Sequence, residues 1–563
     1  MSWLYGYFGG QNIKEKKLLR PHDYSFETSS IRVYAGGGGK NIKVFENPLN
    51  HLEKVFVLGD PILRKGLDFC YPDANDWYNL LLNEGNFANL EGHWLILIAS
   101  RTEIRAYNDL LCKRSLLIHK GSDGYFICSE LPLLKEAGLA KIDPRKFGIY
   151  WHSMFPPPKR RYAPSSDIWY QDVEMLFQNG SMKLSKKGLE LECSPLQPDP
   201  EPLDLLKMLE NFTLLPLRAG RRVCYGLSGG MDTRALLSIA LKHKMPFSAV
   251  HFGDKNNPDY IIAERIAKDF KIPFRFIGIS DVDWGWDNAR EYLHARGFGF
   301  NPASSYLMSY YPIIGEDFDI FMCGYYGEMF RSRSMFAHFT SLATFKKPSY
   351  RSFASYVTQM PPSFFIPELR LEMYKAYMDS LQDIVSQLPP QGKMANPLWM
   401  DLLYVRYSSR SIVFPDICNL DLYICDHMPF LQSSILKQHW HYGLTAQLNE
   451  QPHRKLISNN TPQLAKYPLV LAGHTAPYLL KPYVLKLWVA AKQRRKPNII
   501  HSRAKSFLWE NKNKIWDLRH DKSIAEDPLL DLKLIDYYLN EYYKGNQAYC
   551  NSVLSFLSYA LGK

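Results

Sequence analysis

Leu227-Ser228-Gly229-Gly230-Met231-Asp232-Thr233-Arg234 is the stretch whose reading decides the fold of the second half of this chain. A short apolar run, Val223 to Tyr225, precedes it and reads as a buried strand. Ala235-Leu236-Leu237-Ser238-Ile239-Ala240-Leu241 follows and reads as a helix. A strand, a glycine turn and a helix start, in that order, make an anion site. The glycines let the backbone turn tightly and approach a ligand, and the first helical N–H groups face it with the helix dipole behind them. The Ser228 and Thr233 hydroxyls add donors, and Asp232 is a carboxylate of the kind that holds a metal ion bridging phosphate oxygens.

Outward from this point the alternation continues. Phe247 to Phe252 and Pro273 to Ile279 read as further strands, with a helix over Tyr260 to Phe270 between them. Phe318 to Cys323 is a fourth strand and opens onto Gly324. This pattern predicts a parallel α/β sheet, whose ligands sit at the carboxyl ends of the strands, where both glycine turns fall. From about residue 345 the chain reads mainly helical. Before residue 194 the text is β-rich, with apolar runs at Leu95 to Ala99 and Tyr125 to Cys128 set off by turns such as Gly121-Ser122-Asp123-Gly124. Four prolines at 195, 198, 200 and 202 mark a linker. The expected organisation is a first domain over 1–194, a linker over 195–203 and a second domain over 204–563.

Composition bounds the function. The chain has 563 residues, 46% of them hydrophobic and 22% charged, so it can bury a large core. No apolar run reaches the ~18 residues that a membrane span needs. The opening Met1-Ser2-Trp3-Leu4-Tyr5-Gly6 lacks a basic segment before an apolar one, so no signal peptide is expected. Nine scattered cysteines with no Cys-x-x-Cys pair argue against a disulfide framework or a zinc site and predict a cytoplasmic protein. The formal net charge of +12 comes without a long Lys/Arg run, which weighs against nucleic acid as a partner. Residues 478–500 combine apolar positions with Lys492, Arg494, Arg495 and Lys496, a pattern suited to an ordinary solvated helix or to peripheral membrane contact.

The Walker-type loop is excluded, because no lysine follows the second glycine. The stretch instead resembles the Ser-Gly-Gly-x-Asp-Ser pyrophosphate loop of ATP enzymes that form an adenylate, with Thr233 in place of the last serine. Taken with Met322-Cys323-Gly324-Tyr325-Tyr326-Gly327-Glu328-Met329-Phe330 and Pro429-Phe430-Leu431-Gln432, it resembles the synthetase half of the asparagine synthetases. The first half matches as well. Ser2 to Gly9, Leu90-Glu91-Gly92-His93-Trp94, Asn108 to Leu117 and Cys128-Ser129-Glu130-Leu131 resemble, in order, segments of that family's glutamine amidotransferase domain.

The resemblance implies an α+β sandwich of the Ntn-hydrolase type, followed by an α/β pyrophosphate-loop domain of the adenine nucleotide α-hydrolase type with added helices. It implies ATP and Mg²⁺ as cofactors. Ser228, Gly229, Gly230 and Thr233 would contact pyrophosphate, Asp232 and Glu328 would ligate Mg²⁺, and Leu227, Val250 and Gly253 would line the adenine pocket. Gly324 would belong to the second phosphate-facing turn. Lys466, with Lys455 as its rival, would stabilise charge on the activated carboxylate. Arg234 suits a phosphate contact or a pair with a surface acid equally.

Departures from the family carry functional content. The family opens on a nucleophilic cysteine, and this chain has Ser2, whose hydroxyl is far harder to ionise. The glutamine-binding segment is replaced by Leu58-Gly59-Asp60-Pro61-Ile62-Leu63. The pattern is similar to the β-lactam synthetases and lasso-peptide cyclases, which the resemblance describes as lacking glutaminase activity. The expected function is an AMP- and pyrophosphate-forming amide ligase. It would join a carboxylate on a peptide, small metabolite or glycan to ammonia or a substrate amine. Three alternatives stand beside it: a glutamine-dependent amidotransferase using Ser2, a transfer-RNA-modifying enzyme that the +12 charge encourages and the missing cysteine pair discourages, and an ATP-binding scaffold that has lost its chemistry.

Overall fold

The computed structural model describes residues 2–9, 18–37, 41–146, 168–282, 285–296, 301–331, 362–390, 396–408, 420, 423–471, 473–480, 484 and 500–563. Among the described residues it is a mixed α/β structure with two large antiparallel sheets, one five-stranded parallel sheet and a two-stranded antiparallel ribbon.

The first half is built from strands that bury both faces. In the strand Trp3–Phe8, Leu4 and Phe8 point to one side and Trp3, Tyr5 and Tyr7 to the other, as the period of two demands. A six-stranded sheet has this strand between Gly124–Cys128 and Ile31–Gly36. A seven-stranded sheet has Leu90–Ala99 and the long Asn50–Lys65 at its centre. Leu4, Phe8 and Val33 from one sheet meet Phe56, Leu58, Leu95 and Leu97 from the other in a single apolar cluster. Two facing sheets with their inner residues interdigitated make a sandwich.

Each sandwich face is covered on the outside. Val55, Val57 and Ile98 lie under Trp77 and Leu80 of the helix Ala74–Leu82. Trp3, Tyr5 and Tyr34 share a cluster with Phe364, Phe556 and Leu557, so the C-terminal helix Cys550–Gly562 packs with the first half of the chain.

Residues 194–204 carry no regular element. They are docked along the helix Ser433–His439: Leu203 N–H donates to Gln438 Oε1 (2.5 Å), and Asp199 pairs with Lys437 (3.3 Å). The five parallel strands that follow stand in the order Phe274–Gly278, Ser248–Gly253, Val223–Gly226, Ile320–Met322, Cys425–His427. Val223–Gly226 comes first in the chain and lies in the middle. Its two neighbours therefore receive crossovers from opposite directions, which opens a crevice at its carboxyl end. The four strands expected from the sequence are present. The fifth, Cys425–His427, is three buried residues, among them an aspartate and a histidine, which gives it no alternating apolar pattern.

Segments distant in sequence join the halves. The buried Glu91 carboxylate accepts from Ser433 N–H (2.9 Å), Ser434 N–H (2.8 Å) and Ser433 Oγ (2.7 Å), capping the helix Ser433–His439 across the junction. Lys113 Nζ donates to Leu431 O (3.0 Å) and Gln432 Oε1 (3.1 Å), and Gly92 N–H donates to the same Gln432 oxygen (2.9 Å). Asp109 organises the turn that presents Lys113 by accepting from the N–H groups of Leu111, Lys113 and Arg114.

His93 and His427, both buried, lie in this junction region. Burial, assisted by nearby cations, holds His93 down at about 4 and His427 at about 3, while burial raises the Asp426 carboxyl to about 6. The unfolded chain therefore protonates its imidazoles first. Their contribution to stability is full above pH ~7 and declines as pH falls through ~6.5, by ~2 kcal/mol each at pH 5. Asp426 takes up its proton earlier in the folded state and returns ~1 kcal/mol over the same interval. These three groups together predict a loss of ~2–3 kcal/mol between pH 7 and pH 5, and His439, which burial lowers to about 3, adds to it in the same direction; urea unfolding at the two values checks that stability falls. An unchanged or higher midpoint at pH 5 would show these imidazoles to be protonated in the folded protein.

Candidate functional site

The strand Val223–Gly226 leads into Leu227–Gly230, and the helix Met231–Lys242 begins directly after Gly230. Gly230 is the N-cap and brings no side chain, so the first turn of the helix is capped by none. Gly229 is required by close approach: a Cβ there would lie 2.3 Å from Val470 Cγ2, while Val470 N–H donates to Gly229 O (3.0 Å). Gly229→Ala is accordingly expected to cost ~1–3 kcal/mol by overpacking and to weaken nucleotide binding. Denaturant unfolding together with ATP titration checks both, and an unperturbed midpoint would mean that the strand Leu469–Leu471 moves aside without cost.

The loop's polar groups have partners. Gly229 N–H donates to Asp259 Oδ1 (2.9 Å) and Gly230 N–H to Ser228 Oγ (3.1 Å). Asp259 stands in the first turn of the helix Pro258–Asp269, and burial raises its carboxyl above the ordinary range. Leu227 N–H donates to Val250 O (2.9 Å), and Leu227 O lies 2.7 Å from His251 Nδ1. Both main-chain groups of Leu227 are thus engaged within the protein. Val250 is buried, and Gly253 ends the neighbouring strand, paired with Gly278.

The second glycine turn packs onto the first. A Cβ at Gly324 would lie 2.8 Å from Asp232 Cβ, and one at Gly327 would clash with Asp232 Oδ1. Tyr326, between them, is buried with φ at +63°, a left-handed conformation that folds the turn back over Asp232. Glu328 is the second residue of the 3-10 turn Gly327–Arg331 and is half-buried.

Asp232 is clamped. Arg331 Nη2 reaches Asp232 Oδ2 at 2.6 Å, and His453 Nε2 reaches Oδ1 at 2.9 Å. Both partners are buried. His453 is brought in by the helix Gln451–Asn460, which docks on the loop helix through Ser238 Oγ to Leu456 O (3.3 Å) and Thr461 Oγ1 to Ser238 O (2.8 Å). Phe430 stacks on the His453 ring at 4.9 Å, and Phe330 lies against Phe430. Burial holds His453 below the usual imidazole range despite the nearby Asp232 carboxylate, and its Nε2 approaches Oδ1 without completing a hydrogen bond.

Asp232 gives Oδ2 to the Arg331 guanidinium, while its Oδ1 faces His453 Nε2 without a completed hydrogen bond. Among the described residues, no group of three or more His, Cys, Asp or Glu side chains could hold a metal ion. Mg²⁺ is usually held by one or two carboxylates, with substrate phosphates and water completing its shell, so Asp232 and Glu328 would be the protein's share of such a site.

Arg234 takes neither of the two roles its position suggests. It is fully buried, and its guanidinium donates to main-chain oxygens of Gly229 (3.1 Å), Tyr467 (2.8 Å), Pro468 (2.8 Å) and Leu464 (3.4 Å). Burial lowers it only to about 10, so it stays charged at neutral pH. Lys466 and Lys455 are both exposed; Lys455 Nζ lies 5.9 Å from the centre of the Tyr442 ring.

In the first half, Ser2 is buried at the head of the strand Trp3–Phe8, and its hydroxyl has no hydrogen-bond partner among the described residues. The segment Leu58 to Leu63 runs within the strand Asn50–Lys65, paired with Leu90 to Leu95. Its Asp60 carboxylate turns to Arg221 of the second half (3.5 Å). Of the basic segment at 478–500, only 478–480, 484 and 500 fall among the described residues.

Arg331, His453, Asp259 and His251 are the site residues that sequence reasoning missed. Arg331 directly follows the second motif and was within reach of it. The other three come from separate helices and strands and share no local pattern with the loop.

No protein-family model matches this chain, and no curated protein does. Solved structures give only coarse likenesses. Glutamine phosphoribosylpyrophosphate amidotransferase from B. subtilis, complexed with ADP and GMP, is 11% identical with a TM-score of 0.20; the match covers 49% of this chain and 65% of that one, just under two thirds of its length. The U34-tRNA thiolase NcsA from Methanococcus maripaludis, with its 4Fe-4S cluster, is 12% identical over 47% of this chain and 81% of that one (TM-score 0.18). NMN synthetase from Francisella tularensis is 15% identical over 48% of this chain and 98% of that one (TM-score 0.14). At such scores no residue role passes from them to this chain.

Proposed function

We propose that this chain is an ATP-dependent amide ligase of the asparagine synthetase type, with an Ntn-like first half and a pyrophosphate-loop second half. A substrate carboxylate oxygen attacks the α-phosphorus of ATP, the bond to the bridging oxygen breaks, and pyrophosphate leaves. An amine or ammonia then attacks the acyl carbon, expels AMP and gives up a proton. One observation carries the reading: two glycine turns from adjacent parallel strands interlock around Asp232 at the carboxyl edge of the sheet, with the buried Arg331 beside them. Fixed donors and a cation there meet the charge that develops on pyrophosphate. The Ser2 hydroxyl and the strand at Leu58 to Leu63 favour ammonia or a substrate amine over glutamine as nitrogen source.

A second reading is an ATP-binding scaffold. It is favoured by the engaged N–H groups of Gly229 and Gly230 and by the clamp on Asp232. Purified protein supplied with ATP and a panel of carboxylates, with ammonia, glutamine or neither, separates the readings. AMP and pyrophosphate formed with ammonia but not glutamine support the ligase. Glutamate release would restore the Ser2 amidotransferase. ATP binding without cleavage across the panel would favour the scaffold.

A further inference from the structure

A cavity of about 800 Å³ lies well apart in sequence from the glycine turns, where the helix Leu131–Glu136 of the first half meets the helix Trp286–Arg296 and the C-terminal helix Cys550–Gly562. Its side chains are unusually one-signed. Lys135, Lys141, Arg290 and His294 line it, and Glu291 is the one carboxylate among its lining side chains. Lys563 also reaches it, and its ammonium is held by Asp527 at 2.8 Å.

Among the described residues, Lys135, Lys141 and Arg290 form no ion pair within 4 Å. Lys135 is half-buried, and its ammonium donates to Gly562 O (3.3 Å); no acidic side chain among the described residues pairs with it. The neighbouring Glu136 is taken by Arg20. Arg290 and His294 stand four residues apart on one helix and so share a face. Tyr170, which also lines the cavity, is buried, and its hydroxyl meets no hydrogen-bond acceptor among the described residues. A buried ammonium without a counter-charge is costly unless an anion joins it. Burial lowers Lys135 to about 8, and His294 is lowered by burial and by the charge of Lys135.

We propose that this cavity is a second ligand site, distinct from the glycine turns, for a small molecule bearing two or more phosphate or carboxylate groups. Lys135, Lys141 and Arg290 would hold its oxyanions, with Tyr170 as a neutral donor. A concave pocket with a few convergent cations suits a compact polyanion better than a nucleic-acid backbone, which needs an extended basic track. Guanidinium and ammonium groups take both kinds of oxyanion, and separate arms of the test distinguish them.

The probes are inorganic pyrophosphate and citrate, titrated calorimetrically against the full chain at fixed ionic strength. Binding of either is expected to weaken at least tenfold in Arg290→Glu and in Lys141→Glu, both exposed positions whose exchange leaves the core untouched. It is expected to persist in Gly229→Ala, which blocks the nucleotide loop. A second readout is local: the Lys135 amine, partly neutral at pH 8, should be modified quickly by an amine reagent and protected by the bound probe. Pyrophosphate alone protecting Lys135 marks a phosphate site, and citrate alone a carboxylate site. Absence of protection by both probes, protection unchanged in Arg290→Glu, or binding lost only in Gly229→Ala would overturn the proposal.

Discussion

Asp232→Ala is expected to abolish ATP cleavage and to lower folding stability by ~3 kcal/mol, the low end of what breaking a buried ion pair costs. The low end applies because the Asp232 side chain is 22% exposed. The loss arises from what stays behind. Arg331 is buried, and without the carboxylate 2.6 Å away its guanidinium has no counter-ion. Adding Arg331→Leu should therefore recover most of the stability, since replacing both members of a buried pair by apolar groups is often neutral. It should recover none of the activity, because the acid that organises both glycine turns and the cation beside them are then both gone. Urea unfolding of the two single variants and the double variant gives the coupling directly, and AMP release gives the activity. Equal stability of wild type and Asp232→Ala would show that the clamp contributes nothing to the fold. Activity retained in Asp232→Ala would remove the carboxylate from the chemistry.

Arg234→Met is expected to cost on the order of 3–5 kcal/mol and to weaken ATP binding together with stability. The guanidinium serves as a fork that gathers four main-chain oxygens, one from the glycine turn and three from residues 464–468. Removing it leaves buried carbonyls unpaired, at ~1–3 kcal/mol for each that finds no water. It also frees the carbonyl of Gly229, so the turn loses one of the ties that hold its shape. Arg234→Lys should rescue only part of the loss, because one ammonium cannot span the fork. An unfolding midpoint within error of wild type for Arg234→Met would refute this role. Full stability loss with unchanged ATP affinity would confine Arg234 to the fold.

These two residues also show where sequence reading stops. Asp232 is legible because it sits inside a local pattern of strand, glycine turn and helix, and the chemistry of that pattern is carried by consecutive residues. Arg234 lies two positions further on, yet its role depends on carbonyls some 230 residues away. The same contrast holds for the strands. Val223–Gly226, Ser248–Gly253 and Phe274–Gly278 announce themselves by apolar runs between turns, whereas Cys425–His427 contains an aspartate and a histidine that only burial among other elements makes tolerable. Lys466 and Lys455, chosen from a late position in the chain, stand exposed, while His453 from the same region reaches Asp232.

By itself the sequence determined the alternation of strands and helices, the two glycine turns and the irregular stretch at 194–204, because each follows from near neighbours through backbone geometry and hydrophobic period. The tertiary structure alone decided which charges meet. It placed Arg331 and His453 on the acid expected to hold a metal, Glu91 on a helix 342 residues away, and the C-terminal helices against the first sheet. Such pairings are set by how packed elements bring distant side chains within a few ångströms, and the free energy that selects them resides in burial and desolvation, which no local stretch of sequence records.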